Sequence, residues 1–116
     1  LPGCILRPIV FQPTFHKWAG LDCKWFHLHV TDVQTFRPYR TSLALLQAIA
    51  QLYPEEFDLK PPPYEYEYEK QPLDLFIGSK SIRKAIIGGE NILELEETWQ
   101  KDLKEFEEVR QLCFLY

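Results

Sequence analysis

Asn91 and the apolar stripe that follows it constrain this chain more than any other feature. Ile92, Leu95, Trp99, Leu103 and Phe106 recur at three- and four-residue steps, the spacing of one face of an α-helix. Asn91 suits the N-cap, and Glu94 stands three residues on, in the manner of a capping box. Glu97/Lys101, Lys101/Glu105 and Lys104/Glu108 set opposite charges one turn apart, each pair worth about 0.3 kcal/mol. From Glu90 to Arg110 there are eight acids and three bases, a net of −5, which reads as a solvated face. A helix with one apolar stripe must bury it against a second layer, so the rest of the chain has to supply that layer.

Two stretches near the start read as strands. Ile5 to Phe11 is β-branched and aromatic, and Pro8 within it predicts an edge or a bulge. Lys24 to Thr31 alternates. Phe26, Leu28 and Val30 take one face, read as the core face, and Trp25, His27, His29 and Thr31 take the other. Pro13 to Asp22 between them is a loop. Pro38 opens a second helix, with Leu43, Leu46, Ala50 and Tyr53 at helical spacing and Pro54 as its stop. Ser79 or Ser81 caps a short third helix that runs to Ile87 and closes at Gly88-Gly89. Pro61-Pro62-Pro63 predicts an extended segment, and Tyr64 to Glu69 then alternates strictly, as a strand would. Leu112 to Tyr116 suits a short final strand. The resulting expectation is α+β: a small sheet of short strands packed against two or three helices, with a long C-terminal helix and a short terminal strand.

Composition excludes several classes of function. The net charge is −4 over 116 residues and no basic block is present, which argues against a nucleic-acid partner. No apolar run approaches the ~18 residues of a membrane span. The opening LPGCILRP lacks the charged-then-apolar layout of a signal peptide. The chain contains no methionine, which reads as a piece of something longer. Cys4, Cys23 and Cys113 form no CxxC pair, so a structural zinc site is not expected; two or three of them read as buried thiols, with one bridge left open.

Three stretches could carry chemistry. His27 and His29 share a strand face and could begin a zinc or copper site, given a third ligand. Asp32 falls on the other face by parity, however, and His16 lies in a loop. A hydrogen-bonded histidine, or donation by His29 to a polar ligand in a cleft, fits as well. Alternate glutamates of the Tyr64–Glu69 run would lie about 6.5 to 7 Å apart on a strand, within the range of an inverting glycosidase pair. Solvated carboxylates are the plainer reading. The loop Pro13–Asp22 gathers Thr14, His16, Lys17 and Trp18, groups able to hold a carboxylate or a sugar face. No GxSxG and no phosphate-cradling glycine loop occurs.

Eight segments, in order, resemble one family. They are PTFHKWAGLDC (13–23), HVTD (29–32), FRPYRTSLALL (36–46), YPEEF (53–57), PPPYEYE (61–67), LDLFIGSKSIRKAI (73–86), W-x-x-DL (99–103) and R-x-x-x-FLY (110–116). The ensemble resembles the C-terminal domain of NamZ-type bacterial peptidoglycan exo-β-N-acetylmuramidases, long grouped as a domain of unknown function. The resemblance implies that residues 1–116 are a single domain, the C-terminal part of a larger two-domain protein. Family enzymes release terminal N-acetylmuramic acid. Their catalytic glutamates lie in an upstream Rossmann-like domain, and the cleft lies between the two. This chain would then supply a cleft wall and be inactive alone.

The positions in the matching motifs are Thr14, Phe15, Lys17, His29, Thr31, Asp32, Tyr66 and Glu67, expected to contact or support substrate. His27 falls outside the pattern, which weakens the metal reading. No metal or organic cofactor is implied. The implied partners are the upstream domain and a muropeptide or amino sugar, with no membrane span. The substrate implies the cell envelope or exterior. An alternative of a different class is a structural domain that stabilises its upstream neighbour without touching sugar. That alternative predicts an exposed apolar patch at the Trp25 face or the 112–116 tail. A hydrolase working alone through Glu65, Glu67 and Glu69 is a third reading.

Overall fold

The computed structural model describes residues 1–115. Two strands precede four helices: β1 (Cys4–Phe11), β2 (Cys23–Val30), α1 (Pro38–Leu52), α2 (Pro72–Ile77), α3 (Lys80–Ile87) and α4 (Ile92–Gln111). The class is α+β. By contacts the chain forms two compact units, Leu1–Thr41 and Ser42–Tyr116, with the boundary inside the first turn of α1.

The first unit is built on an antiparallel ribbon whose register pairs Cys4 with Val30, Arg7 with His27 and Phe11 with Cys23. Directly paired residues share a face. Ile5, Arg7, Ile9 and Phe11 therefore stand with Cys23, Trp25, His27 and His29. On the opposite face Leu6 and Leu28 are direct partners and half-buried, but Phe26 and Val30, which the alternation also assigns to the core, are exposed. Both strands of a two-stranded ribbon are edges, so Pro8 disturbs little.

Gly3 closes the far end of the ribbon. Its carbonyl accepts from the N–H groups of Thr31 (2.9 Å) and Asp32 (3.2 Å), and its φ of 72° is the left-handed region glycine tolerates. A Cβ there would lie 2.6 Å from Asp32 O and from Phe36 N.

The second unit holds a small core of Leu43 from α1, Ala85 and Ile86 from α3, and Leu95 from α4. Leu46, Ile77, Ile82, Ile92 and Trp99 pack around it. Side-chain caps start α3 and α4. Ser79 Oγ accepts from Ile82 N, and Asn91 Oδ1 accepts from Leu93 N at 3.0 Å. Glu94 departs from the usual capping box, because its carboxylate accepts from the Asn91 side chain (2.9 Å). Gln47 Nε2 donates to Ile86 O (3.3 Å) and Glu90 O (2.8 Å), satisfying carbonyls where α3 ends. The stripe of α4 is used only in part. Leu95 is buried, whereas Leu103 and Phe106 are exposed.

Several expectations need correction. Tyr64–Glu69 is not a strand. Tyr64 and Glu67 exchange backbone hydrogen bonds of 2.9 and 3.0 Å, so Glu65 and Tyr66 form the tip of a tight turn. Glu65 has φ 52°, a positive value at the first central position, as in type II′ turns. Alternation was a poor guide because the Glu67 carboxylate captures the N–H groups of Glu69 (2.9 Å) and Lys70 (3.1 Å), which a ladder would otherwise need. A further short helix, α2, forms where the periodicity does not suggest one, which makes four helices among the described residues.

The expected terminal strand is not formed by residues 112–115, and Tyr116 lies outside the described residues. Three-residue backbone bonds from Leu112 and Cys113 extend the helical winding, and the Arg110 guanidinium sits 5.2 Å from the Phe114 ring centroid. The three cysteines are free. Cys4 and Cys23 are half-buried, and Cys113 is exposed.

Candidate functional site

The eight residues singled out by sequence fall into three local groups. Thr14, Phe15 and Lys17 lie in the loop from β1 to β2. This loop is wound by the bond from Gly20 N to Pro13 O (2.9 Å) and pinned at its base by Gln12 Nε2 donating to Asp22 (2.8 Å). His16 and Trp18 carry positive φ values of 62° and 67°, each costing roughly 1 to 3 kcal/mol. Strain of this kind persists only where surrounding contacts impose it, and it concentrates at binding loops. Phe15 is 70% exposed, with its ring edge-on to His16 at 4.9 Å.

His29, Thr31 and Asp32 form the second group, at the Gly3 end of the ribbon. The ring of His29 stands 4.2 Å from that of His27. Asp32 accepts from Gln34 N and from Thr35 Oγ1, both at 2.9 Å. Those bonds, Gln34 first, hold its carboxyl below the ordinary carboxylate value. From Cys23, at the loop end of β2, to His29 is about 20 Å at a rise of about 3.3 Å per residue. The loop group and the His29 group are thus attached at opposite ends of the ribbon.

Tyr66 and Glu67, in the second unit, are the third group. Tyr66 is 93% exposed at the tip of its turn. The N–H groups of Glu69 and Lys70 lower the Glu67 carboxyl, Glu69 first, and Lys70 Nζ adds a contact at 3.8 Å. Glu67 therefore fixes the turn, and the turn presents Tyr66. Among the described residues no group of three or more His, Cys, Asp or Glu side chains is arranged to hold a metal ion. No described helix is long and apolar enough to cross a membrane.

The family model for the C-terminal region of exo-β-N-acetylmuramidase NamZ matches residues 1–116. The chain belongs to this family. It is 30% identical over 116 residues to the Bacillus subtilis (strain 168) protein named peptidoglycan β-N-acetylmuramidase NamZ. That match covers 100% of this chain and 26% of the relative, so the chain spans about a quarter of the relative's length. A crystal structure of a DUF1343 family protein from Bacteroides fragilis NCTC 9343 shares the fold, with a TM-score of 0.72 at 22% identity. That likeness covers 100% of this chain and 29% of the other.

This NamZ C-terminal domain also carries features that sequence reasoning passed over. In the second unit a pocket of about 280 Å³ is lined by Leu46, Phe57, Lys60, Tyr64, Leu73 and Phe76, among others. Tyr64 and Phe76 meet edge-to-face at 5.2 Å, and Lys60 Nζ lies 5.8 Å from the Tyr64 centroid. Its lining comes from α1, α2 and the segment between them, so no single sequence window signals it. Arg7 and Trp25, on the ribbon face shared with His29, were likewise outside the candidate set.

Proposed function

We propose that this chain is the substrate-cleft domain of a peptidoglycan exo-β-N-acetylmuramidase that releases terminal N-acetylmuramic acid. The match of all 116 residues to the NamZ C-terminal family carries this reading. In it the partner is an upstream Rossmann-like domain of the same protein, which holds the catalytic carboxylates. This chain supplies binding groups and is inactive alone, and the protein works in the cell envelope or outside the cell. Local geometry supports the division of labour. Tyr66 offers an almost fully exposed ring on a turn tied down at both ends, a form suited to stacking on a sugar face. Lys17 and His29 offer donors to the acidic and amide groups of an amino sugar.

The test is steady-state kinetics of the full-length protein on a chromogenic β-N-acetylmuramide. The combined variant Lys17→Ala, His29→Ala, Tyr66→Ala is expected to lose roughly a hundredfold in kcat/KM, from two or three contacts of about 1 kcal/mol each. Unchanged kcat/KM in that variant would overturn the reading.

A second reading has its own observation. Trp25, Ile5 and Phe11 are exposed on one ribbon face, as a surface that packs on a neighbouring domain would be. In that reading the domain stabilises its upstream neighbour without contacting sugar. The triple variant would then keep full activity, and Trp25→Ala would lower the melting temperature of the full-length protein.

A further inference from the structure

The ribbon face that bears His29 also carries Arg7 and His27, set among apolar side chains. Its eight residues are Ile5, Arg7, Ile9 and Phe11 of β1, and Cys23, Trp25, His27 and His29 of β2. None is acidic. Arg7 is the direct cross-strand partner of His27, which sets their Cβ atoms about 5 Å apart. His29 follows one pleat repeat along, and its ring centroid lies 4.2 Å from that of His27, with the planes tilted by 43°. All three side chains are exposed, and none of the ion pairs among the described residues involves Arg7. The wider surroundings have the same sign. Residues 1–41 carry five basic and two acidic side chains, a net of +3 in a chain whose total is −4, and all three histidines lie there.

These observations decide what such a face takes. The two imidazoles invite a metal ion, but a guanidinium beside them repels a cation. A guanidinium with one imidazole directly across the ribbon and a second on the diagonal instead offers a planar fork and further N–H donors to one carboxylate. Trp25, 60% exposed and next along β2 on this face, adds a flat aromatic surface. Ile5 and Ile9 flank Arg7 with apolar surface. A carboxylate beside a ring that can stack is the chemistry of an acidic sugar.

We infer that Arg7, His27 and His29 form a carboxylate-binding site that grips the lactyl carboxylate of a muramic acid unit, with Trp25 against the sugar ring. The inference rests on the function proposed above and adds to it the residues that select an acidic sugar over a neutral one. Arg7 and His27 are the new members, since neither belongs to the motifs that carry the family likeness.

Binding to the full-length protein is measured calorimetrically with sodium N-acetylmuramate, its lactyl amide, sodium lactate and the dipeptide L-Ala-D-Glu. The acid is expected to bind roughly ten- to a hundredfold more tightly than the amide, as a charge-assisted bond supplies. Arg7→Ala should remove that difference, and Arg7→Lys should restore part of it. His27→Gln should reduce it, and in every variant the amide should lose less affinity than the acid. Unchanged circular dichroism, together with retained exchange protection at Leu6 and Leu28, verifies that the ribbon stays folded. Should Arg7→Ala unfold it, Arg7→Gln is read in its place. Equal affinity for acid and amide in the wild type, or a preference that survives Arg7→Ala, overturns the site. Binding of the dipeptide as tightly as the sugar acid overturns its assignment to the lactyl group. Preference for the acid without turnover of any muramide overturns the proposed function and leaves this site standing. Turnover without that preference does the reverse.

Discussion

Gly3→Ala is the most informative single change in the ribbon. Gly3 holds φ at 72°, where an L side chain costs roughly 1 to 2 kcal/mol. The added Cβ would meet Asp32 O and Phe36 N at 2.6 Å and Thr35 Oγ1 at 2.8 Å. Two of those atoms are backbone and cannot swing aside, so relief requires the 32–36 turn to move, at a further cost of about 1 to 3 kcal/mol. The narrower unfolded ensemble of alanine offsets about 0.5 kcal/mol. The net is about 2 to 4 kcal/mol, concentrated on the carbonyl that receives Thr31 N and Asp32 N. Native-state amide exchange reads this directly. Protection at Thr31 and Asp32 should fall by roughly 30- to 700-fold, with little change at Leu95 in the second unit. Unaltered protection at both amides would mean that Gly3 is not conformationally required and that the Asp32 turn is held by other contacts.

The helical unit makes three further predictions. Ile86 is fully buried, so Ile86→Ala should cost about 2 to 5 kcal/mol and Ile86→Val about 1, measured by urea unfolding followed through helix content. Asn91→Ala removes the cap on Leu93 N and should cost about 1 kcal/mol in the same assay. Asp74 accepts two bonds from Arg83, at 2.5 and 3.2 Å, and that guanidinium holds its carboxyl below the ordinary value of about 3.9. A depressed folded-state pKa stabilises above the unfolded value and ceases to do so as pH falls through the folded one. The melting temperature should therefore decline from about pH 5 downward, and Asp74→Asn should flatten that part of the decline while lowering the neutral-pH value.

Much of the fold was legible where the deciding interactions are short in sequence. The cap at Asn91, the cap at Ser79, Pro38 at the start of α1 and the alternation from Lys24 onward each settle an element within a few residues. The Tyr64–Glu69 run failed for a physical reason. Alternation describes a strand only if the backbone groups are free to pair, and Glu67 takes two of them for its own side chain. α2 was missed although Pro72 and Gly78 mark its ends, because six residues hold too little of a 3.6-residue period to recognise. The candidate site was legible as residues but not as groups. That Arg7 faces His27 depends on register, and that Tyr64 meets Phe76 depends on how α2 packs; both are long-range facts.

The electrostatics of the carboxylates bear on the proposed function. A general acid for glycoside cleavage needs a carboxyl raised toward neutrality, by burial in apolar surroundings or by a second anion. Asp32, Glu67 and Asp74 are all moved the other way, each by donors that prefer the ionised form. Asp32 spends its two oxygens on Gln34 and Thr35, and Asp74 spends its own on Arg83. At Glu67, two backbone N–H groups share Oε1 while Oε2 faces Lys70. Withdrawing any of them for proton transfer would undo the turn or helix pair it secures. Asp32 holds the turn that follows the His29 strand end, Glu67 holds the turn that presents Tyr66, and Asp74 ties α2 to α3. That supports the reading in which this domain grips and orients a sugar while proton transfer is left to carboxylates elsewhere in the protein.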